Sequence, residues 1–130
     1  MSYAYLDASA IVKLIIDESE SDALETWLAD RATTSSSLVA TETRRAARRS
    51  NIPDARASVE DVLGRVVLYS IDSRILDQAG RIGPPTLRTL DAIHLATALR
   101  LEPELEAFVT YDLRLAEAAE AVGLRVVAPA

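Results

Sequence analysis

The chain contains no cysteine among its 130 residues. That excludes disulfides, zinc–thiolate centres and cysteine nucleophiles. Histidine occurs once, at His94, so any metal would have to be held mainly by oxygen, which favours hard cations such as Mg²⁺ or Mn²⁺ over zinc. Lysine is also nearly absent: 13 of the 14 basic residues are arginine and Lys13 is the exception. A phosphorelay receiver needs a late lysine and is excluded with it. No long apolar run exists. The richest segment, A-I-V-K-L-I-I, is interrupted by Lys13 and is too short to span a bilayer. M-S-Y-A-Y-L-D-A-S has neither the basic nor the apolar part of a signal peptide, so the expected location is the cytoplasm, with no membrane association. No repeat, linker or low-complexity segment is evident, and residues 1–130 read as a single domain.

What is present is an ordinary globular composition, 49% hydrophobic and 26% charged, with a net charge of −6. The acidic balance argues against general affinity for nucleic acid. The run R-R-A-A-R-R, residues 44–49, keeps local phosphate binding open.

The hydropathy pattern alternates strands and helices. Y-A-Y-L-D is a strand ending on an acid, continued by the helix S-A-I-V-K-L-I-I. A helix is expected from about Glu20 to Ala32, with Ala23, Leu24, Trp27 and Leu28 at helical spacing. T-S-S-S is a polar segment able to form a short strand. Leu38 to Arg49 reads as a helix, and Pro53 suits the first turn of another that runs to about Leu63. Val66–Tyr69 is a β-branched strand. Asp72 caps a helix from about Ser73 to Arg81, and G-P-P breaks the pattern. T-L-D-A-I-H-L-A-T-A-L is a helix apolar on most of its surface. Ala107–Tyr111 is a strand ending at Asp112. The following helix stops at Gly123, and Arg125–Val127 closes the fold. This order predicts a three-layer α/β/α sandwich around a central, mostly parallel sheet.

Two acids, Asp7 and Asp112, fall at strand ends. Ligands of open parallel sheets sit beyond such ends, where the winding direction reverses. Asp91 opens the apolar helix, and Glu42 lies near the start of the third. Each acid alone has an ordinary explanation as a helix cap, a dipole partner or a solvated side chain. Together in one pocket they would repel one another unless cations neutralised them. Two hard metals about 3.5–4 Å apart can activate water and stabilise the leaving oxygen of a phosphodiester without a side-chain nucleophile.

The order Y-L-D-A-S, T-E-T-R-R, L-D-A-I-H-L-A-T-A and V-T-Y-D closely resembles the PIN-domain nucleases, and among them the VapC-type toxins of bacterial toxin–antitoxin pairs. The resemblance spans Tyr5 to about Val127, and its last two motifs are the specific ones. It implies a metal-dependent endoribonuclease that uses one or two Mg²⁺ or Mn²⁺ ions per site. It also implies a homodimer, and inhibition by a small cognate antitoxin inserted into the acidic groove. By position, Asp7, Glu42, Asp91 and Asp112 match the acidic quartet, and Ser9 and Thr110 match the neighbouring hydroxyls.

Within that reading Asp7 and Asp91 are expected to be the strongest ligands. Asp112 would bind directly or through water, and Glu42 would shape a second metal position or orient the attacking water. Ser9 and Thr110 would bond these carboxylates or a substrate phosphate, or be plain helix-start and strand residues. Helical spacing puts Arg45 and Arg49 on the Glu42 side, where they would lead an RNA backbone toward the metals or form a solvated face. His94 reads as a packing residue. Two other readings stay open. A haloacid-dehalogenase-type phosphatase fits poorly, because its second aspartate is Ser9 here. A non-catalytic module would use the acidic groove only to capture a basic peptide. No base-reading motif identifies an RNA target.

Overall fold

The computed structural model describes residues 2–51 and 55–130. Five strands form one sheet: β1 (Tyr3–Leu6), β2 (Ala32–Ser36), β3 (Val67–Tyr69), β4 (Leu105–Val109) and β5 (Val126–Val127). Their order is β3-β2-β1-β4-β5 and every pairing is parallel. The helices among the described residues are α1 (Ala8–Ile15), α2 (Ser21–Leu28), α3 (Leu38–Ser50), α4 (Val59–Leu63), α5 (Ser73–Ala79), α6 (Thr89–Leu101) and α7 (Leu113–Ala121).

The central strand shows why the layers form. Ala4 and Leu6 pack into one cluster with Ala10, Ile11, Leu24, Val39 and Val62, from α1 to α4. Tyr5, pointing the other way, packs with Leu95, Phe108 and Leu115. This is the period-two alternation of a strand covered on both faces. The α/β/α sandwich expected from the sequence is present, with a sheet that is wholly parallel. Among the described residues no helix is long and apolar enough to cross a membrane.

The least obvious element is β2. Thr34, Ser35 and Ser36 are almost fully buried, which suits a strand beside the centre and hides it from hydropathy. Their hydroxyls find partners: Thr34 Oγ1 donates to the Val67 carbonyl at 2.7 Å and Ser35 Oγ to the Leu6 carbonyl at 2.6 Å. Hydrogen bonding of this kind removes most of the cost of burying a polar side chain.

Several boundaries differ from the sequence expectation. The second helix ends at Leu28 rather than Ala32, because Arg31 folds back over the Trp27 ring, 4.0 Å from its centroid, and Ala32 enters β2. Pro53 lies outside the described residues. The fourth helix begins at Val59, where Ser58 Oγ accepts the Asp61 N–H at 3.0 Å. β4 stops at Val109 instead of Tyr111, since the Tyr111 N–H is taken by Ser9 Oγ at 2.9 Å. At the other end of α7, Gly123 adopts φ +91°, the left-handed stop foreseen there.

The order places β1 between β2 and β4, so the chain winds outward in opposite directions from it. Leu6 pairs with Val109, and the carboxyl ends of the two strands are level. This is the switch-point crevice.

Phe108 is 1% exposed and stacks on Tyr5 at a centroid separation of 5.1 Å. Truncation to Phe108→Ala is expected to lower stability by about 3–5 kcal/mol, read from urea unfolding. A loss under about 1 kcal/mol would contradict this packing.

Candidate active site

Asp7 follows β1 and caps α1. Its Oδ1 accepts the Ala10 N–H at 2.9 Å and the Ser9 hydroxyl at 2.7 Å, while Oδ2 accepts the Thr110 hydroxyl at 2.6 Å. Thr110 Oγ1 in turn accepts the Asp112 N–H at 3.1 Å. Asp112 caps α7 through Oδ1, which receives the N–H groups of Arg114 and Leu115 at 2.9 and 3.2 Å. The capping role and the site role of these acids coincide: a cap pins one carboxylate oxygen and so aims the other.

For Asp112 that other oxygen, Oδ2, meets Arg88 Nη2 at 3.1 Å, and Arg88 Nε meets Asp91 Oδ2 at 3.3 Å. One guanidinium thus spans carboxylates carried by two separate elements. Asp91 therefore stands at the same sheet edge as Asp112, which the sequence could not decide. The sequence also gave no weight to Arg88; its position three residues before Asp91 was the available signal.

Glu42 reaches the site by a different support. Ser36 N–H donates to Tyr5 Oη at 3.2 Å, leaving the phenol proton for His94 Nδ1 at 2.8 Å. His94 Nε2 then carries its proton toward Glu42 Oε1 at 2.5 Å. This donor order selects the Nε2–H tautomer. His94 is buried as a packing residue would be, but both ring nitrogens are engaged and the outer one holds a member of the quartet. His94 is thus a buried, fully hydrogen-bonded residue of the core, and its bond to Glu42 is what the sequence could not show.

A groove of about 630 Å³ runs between α1 and α3, lined by Ser9, Val12, Leu38, Glu42, Arg45 and Arg49 among others. Arg45 and Arg49 thus flank Glu42 along one channel, as the helical spacing predicted. Arg44 turns away and pairs with Glu60 on α4, at 2.8 Å.

Electrostatics set the character of the site. Burial pushes the Asp7 carboxyl above its ordinary range, against the pull of the Thr110 and Ser9 hydroxyls and the Ala10 N–H. Burial also raises Asp91, and the Asp112 charge adds to this, while Arg88 opposes it. Among the described residues no three Asp, Glu or His side chains stand in an arrangement that encloses an ion. The donor set nonetheless fits a hard cation, because it is all oxygen and because Asp91 and Asp112 already converge on a single positive group.

Comparison with known proteins bears on the family and the fold. The family model described as PIN domain matches residues 4–121. Ribonuclease VapC46 of Mycobacterium tuberculosis is 46% identical over 130 residues, covering 99% of each chain. Ribonuclease VapC35 of the same organism is 48% identical, covering 96% of each. The crystal structure of M. tuberculosis VapC20, titled a Sarcin-Ricin loop cleaving toxin, superposes with a TM-score of 0.73 over 98% of this chain and 100% of that one, at 16% identity. This last likeness is one of fold.

The raised Asp7 carboxyl has a consequence for stability. Its folded-state value lies above the ordinary 3.8, so the folded chain holds the proton more tightly than the unfolded chain. That contribution is fully present below the unfolded value and is lost as pH rises through the folded one. Asp7→Asn, neutral and nearly isosteric, is expected to melt at a higher temperature than wild type at pH 7. The advantage should shrink as the pH approaches 4. Thermal melts across pH 4–8 decide it, and a wild type more stable than Asp7→Asn at pH 7 would refute it.

Proposed function

The chain belongs to the PIN-domain family, among its VapC-type members, and from that premise we propose that it is a divalent-cation-dependent endoribonuclease acting as the toxin of a toxin–antitoxin pair. The observation that carries this reading is the convergence of Asp91 and Asp112 on one positive group beside the β1–β4 switch point, with Asp7 joined to them through Thr110.

Mg²⁺ or Mn²⁺, one or two ions, would be held by Asp7, Asp91 and Asp112, with Glu42 shaping a second position. When bound, such an ion supplies a Lewis acid for a phosphoryl oxygen and lowers the pKa of its water. The protein's own contribution is positional. Ser9 and the Ala10 N–H engage Oδ1 of Asp7 and the Thr110 hydroxyl engages Oδ2, so both oxygens are held in place and Oδ2 keeps a lone pair for a cation. Tyr5 and His94 hold Glu42 at the groove wall, where its free oxygen orients the attacking water. Arg45 and Arg49 line the same groove and guide the RNA backbone by phosphate contacts, which supply affinity without reading sequence. The substrate is RNA in the cytoplasm, and the working form is a homodimer. A small cognate antitoxin silences it by covering the acidic groove.

Purified chain is expected to cut RNA with Mg²⁺ or Mn²⁺ and to stop when a chelator is added. Asp91→Asn and Asp112→Asn should each lose roughly a hundredfold or more, while circular dichroism stays unchanged. Asparagine still caps α7, so Asp112→Asn separates chemistry from folding. Cleavage that persists in chelator would defeat the metal dependence, and equal activity in wild type and both variants would defeat the nuclease reading.

A further inference from the structure

The guanidinium of Arg88 stands where the proposed site needs a cation. Its Nε and Nη2 bond Asp91 and Asp112 at 3.3 and 3.1 Å, yet its side chain is 72% exposed while those of Asp91 and Asp112 are 17% and 25% exposed. The acids are thus fixed and half-sunk, and the arginine is the movable partner. Arg88 occupies the residue before α6 and makes no side-chain cap there, so releasing the guanidinium removes no cap from the helix. Exposed ion pairs are weak and exchange readily. A divalent ion presents two charges to the same carboxylate pair and outcompetes a single guanidinium. Once displaced, the guanidinium remains on its tether beside the site, with five N–H donors whose fork matches a phosphate.

Resting on the nuclease reading above, we propose that Arg88 is a resident counter-ion of the Asp91–Asp112 pair that gives way to the divalent cation and then binds the substrate phosphate next to it. The same side chain therefore acts against metal binding and in favour of RNA turnover. A residue with only a structural role would not show opposite signs in the two measurements.

The test uses the full chain with Mn²⁺ alone as the metal probe and a single-stranded RNA oligonucleotide as substrate. Arg88→Gln is expected to bind Mn²⁺ about two- to fivefold more tightly by titration calorimetry, the range of a lost exposed ion pair. At saturating Mn²⁺ its kcat should fall about tenfold or more, as for a lost charged contact to the reacting group. Arg88→Lys keeps the charge without the fork, and it should leave Mn²⁺ affinity near wild type while recovering only part of kcat. If the wild type binds Mn²⁺ and cuts RNA but Arg88→Gln binds no more tightly, or turns over at the wild-type rate, the role of Arg88 is wrong and the nuclease reading stands. If the wild type neither binds Mn²⁺ nor cuts, both are wrong.

Discussion

A carboxylate withdrawn from water at the end of the central strand sets the terms for this structure. Asp7 is 4% exposed, and a buried charge without partners costs several kcal/mol. Three donors answer it from two places: Ser9 and the Ala10 N–H from the first turn of α1, and Thr110 from beyond β4. Satisfying one side chain therefore binds the start of a helix to the end of a neighbouring strand. Thr110 passes the constraint on by accepting the Asp112 N–H, and Asp112 passes it into α7 by capping it. The crevice is rigid because its polar groups are each other's partners.

Rigidity on one side makes the other side reactive. The hydrogen bonds use up particular oxygens and leave others facing outward, so several negative charges share a small volume at the switch point. Burial and mutual repulsion raise Asp91. The protein relieves this locally with one exposed arginine, Arg88, which pairs with both Asp91 and Asp112. Glu42 stands apart, since its support runs through Tyr5 and His94 from within the sheet. The site thus rests on two hydrogen-bonded frameworks, one at the strand ends and one running from Tyr5 on β1 through His94 on α6 to Glu42.

Much of this was legible in the sequence. Asp7 and Asp112 stand out because an acid closing an apolar strand is both a cap and a candidate ligand, and the structure uses them as caps. Asp91 stands out because it heads a helix otherwise apolar. The sheet order was not legible, because parallel strands carry no local signal of their neighbours. β2 was nearly invisible, since its buried hydroxyls are paid for by carbonyls on other strands. The role of Arg88 and the partners of the buried His94 were not legible for a related reason. Each acts on a residue from another element, Asp112 in one case and Glu42 in the other, and spacing along the chain cannot show such partners.

The central claim is that the acids at the β1–β4 edge are built around a divalent cation. Anomalous diffraction from crystals of the protein grown with Mn²⁺ addresses it directly. The account predicts a manganese peak in contact with Asp91 and Asp112, with the Arg88 guanidinium moved off both. No peak at that edge, with Arg88 still bridging the two carboxylates at saturating Mn²⁺, would contradict it.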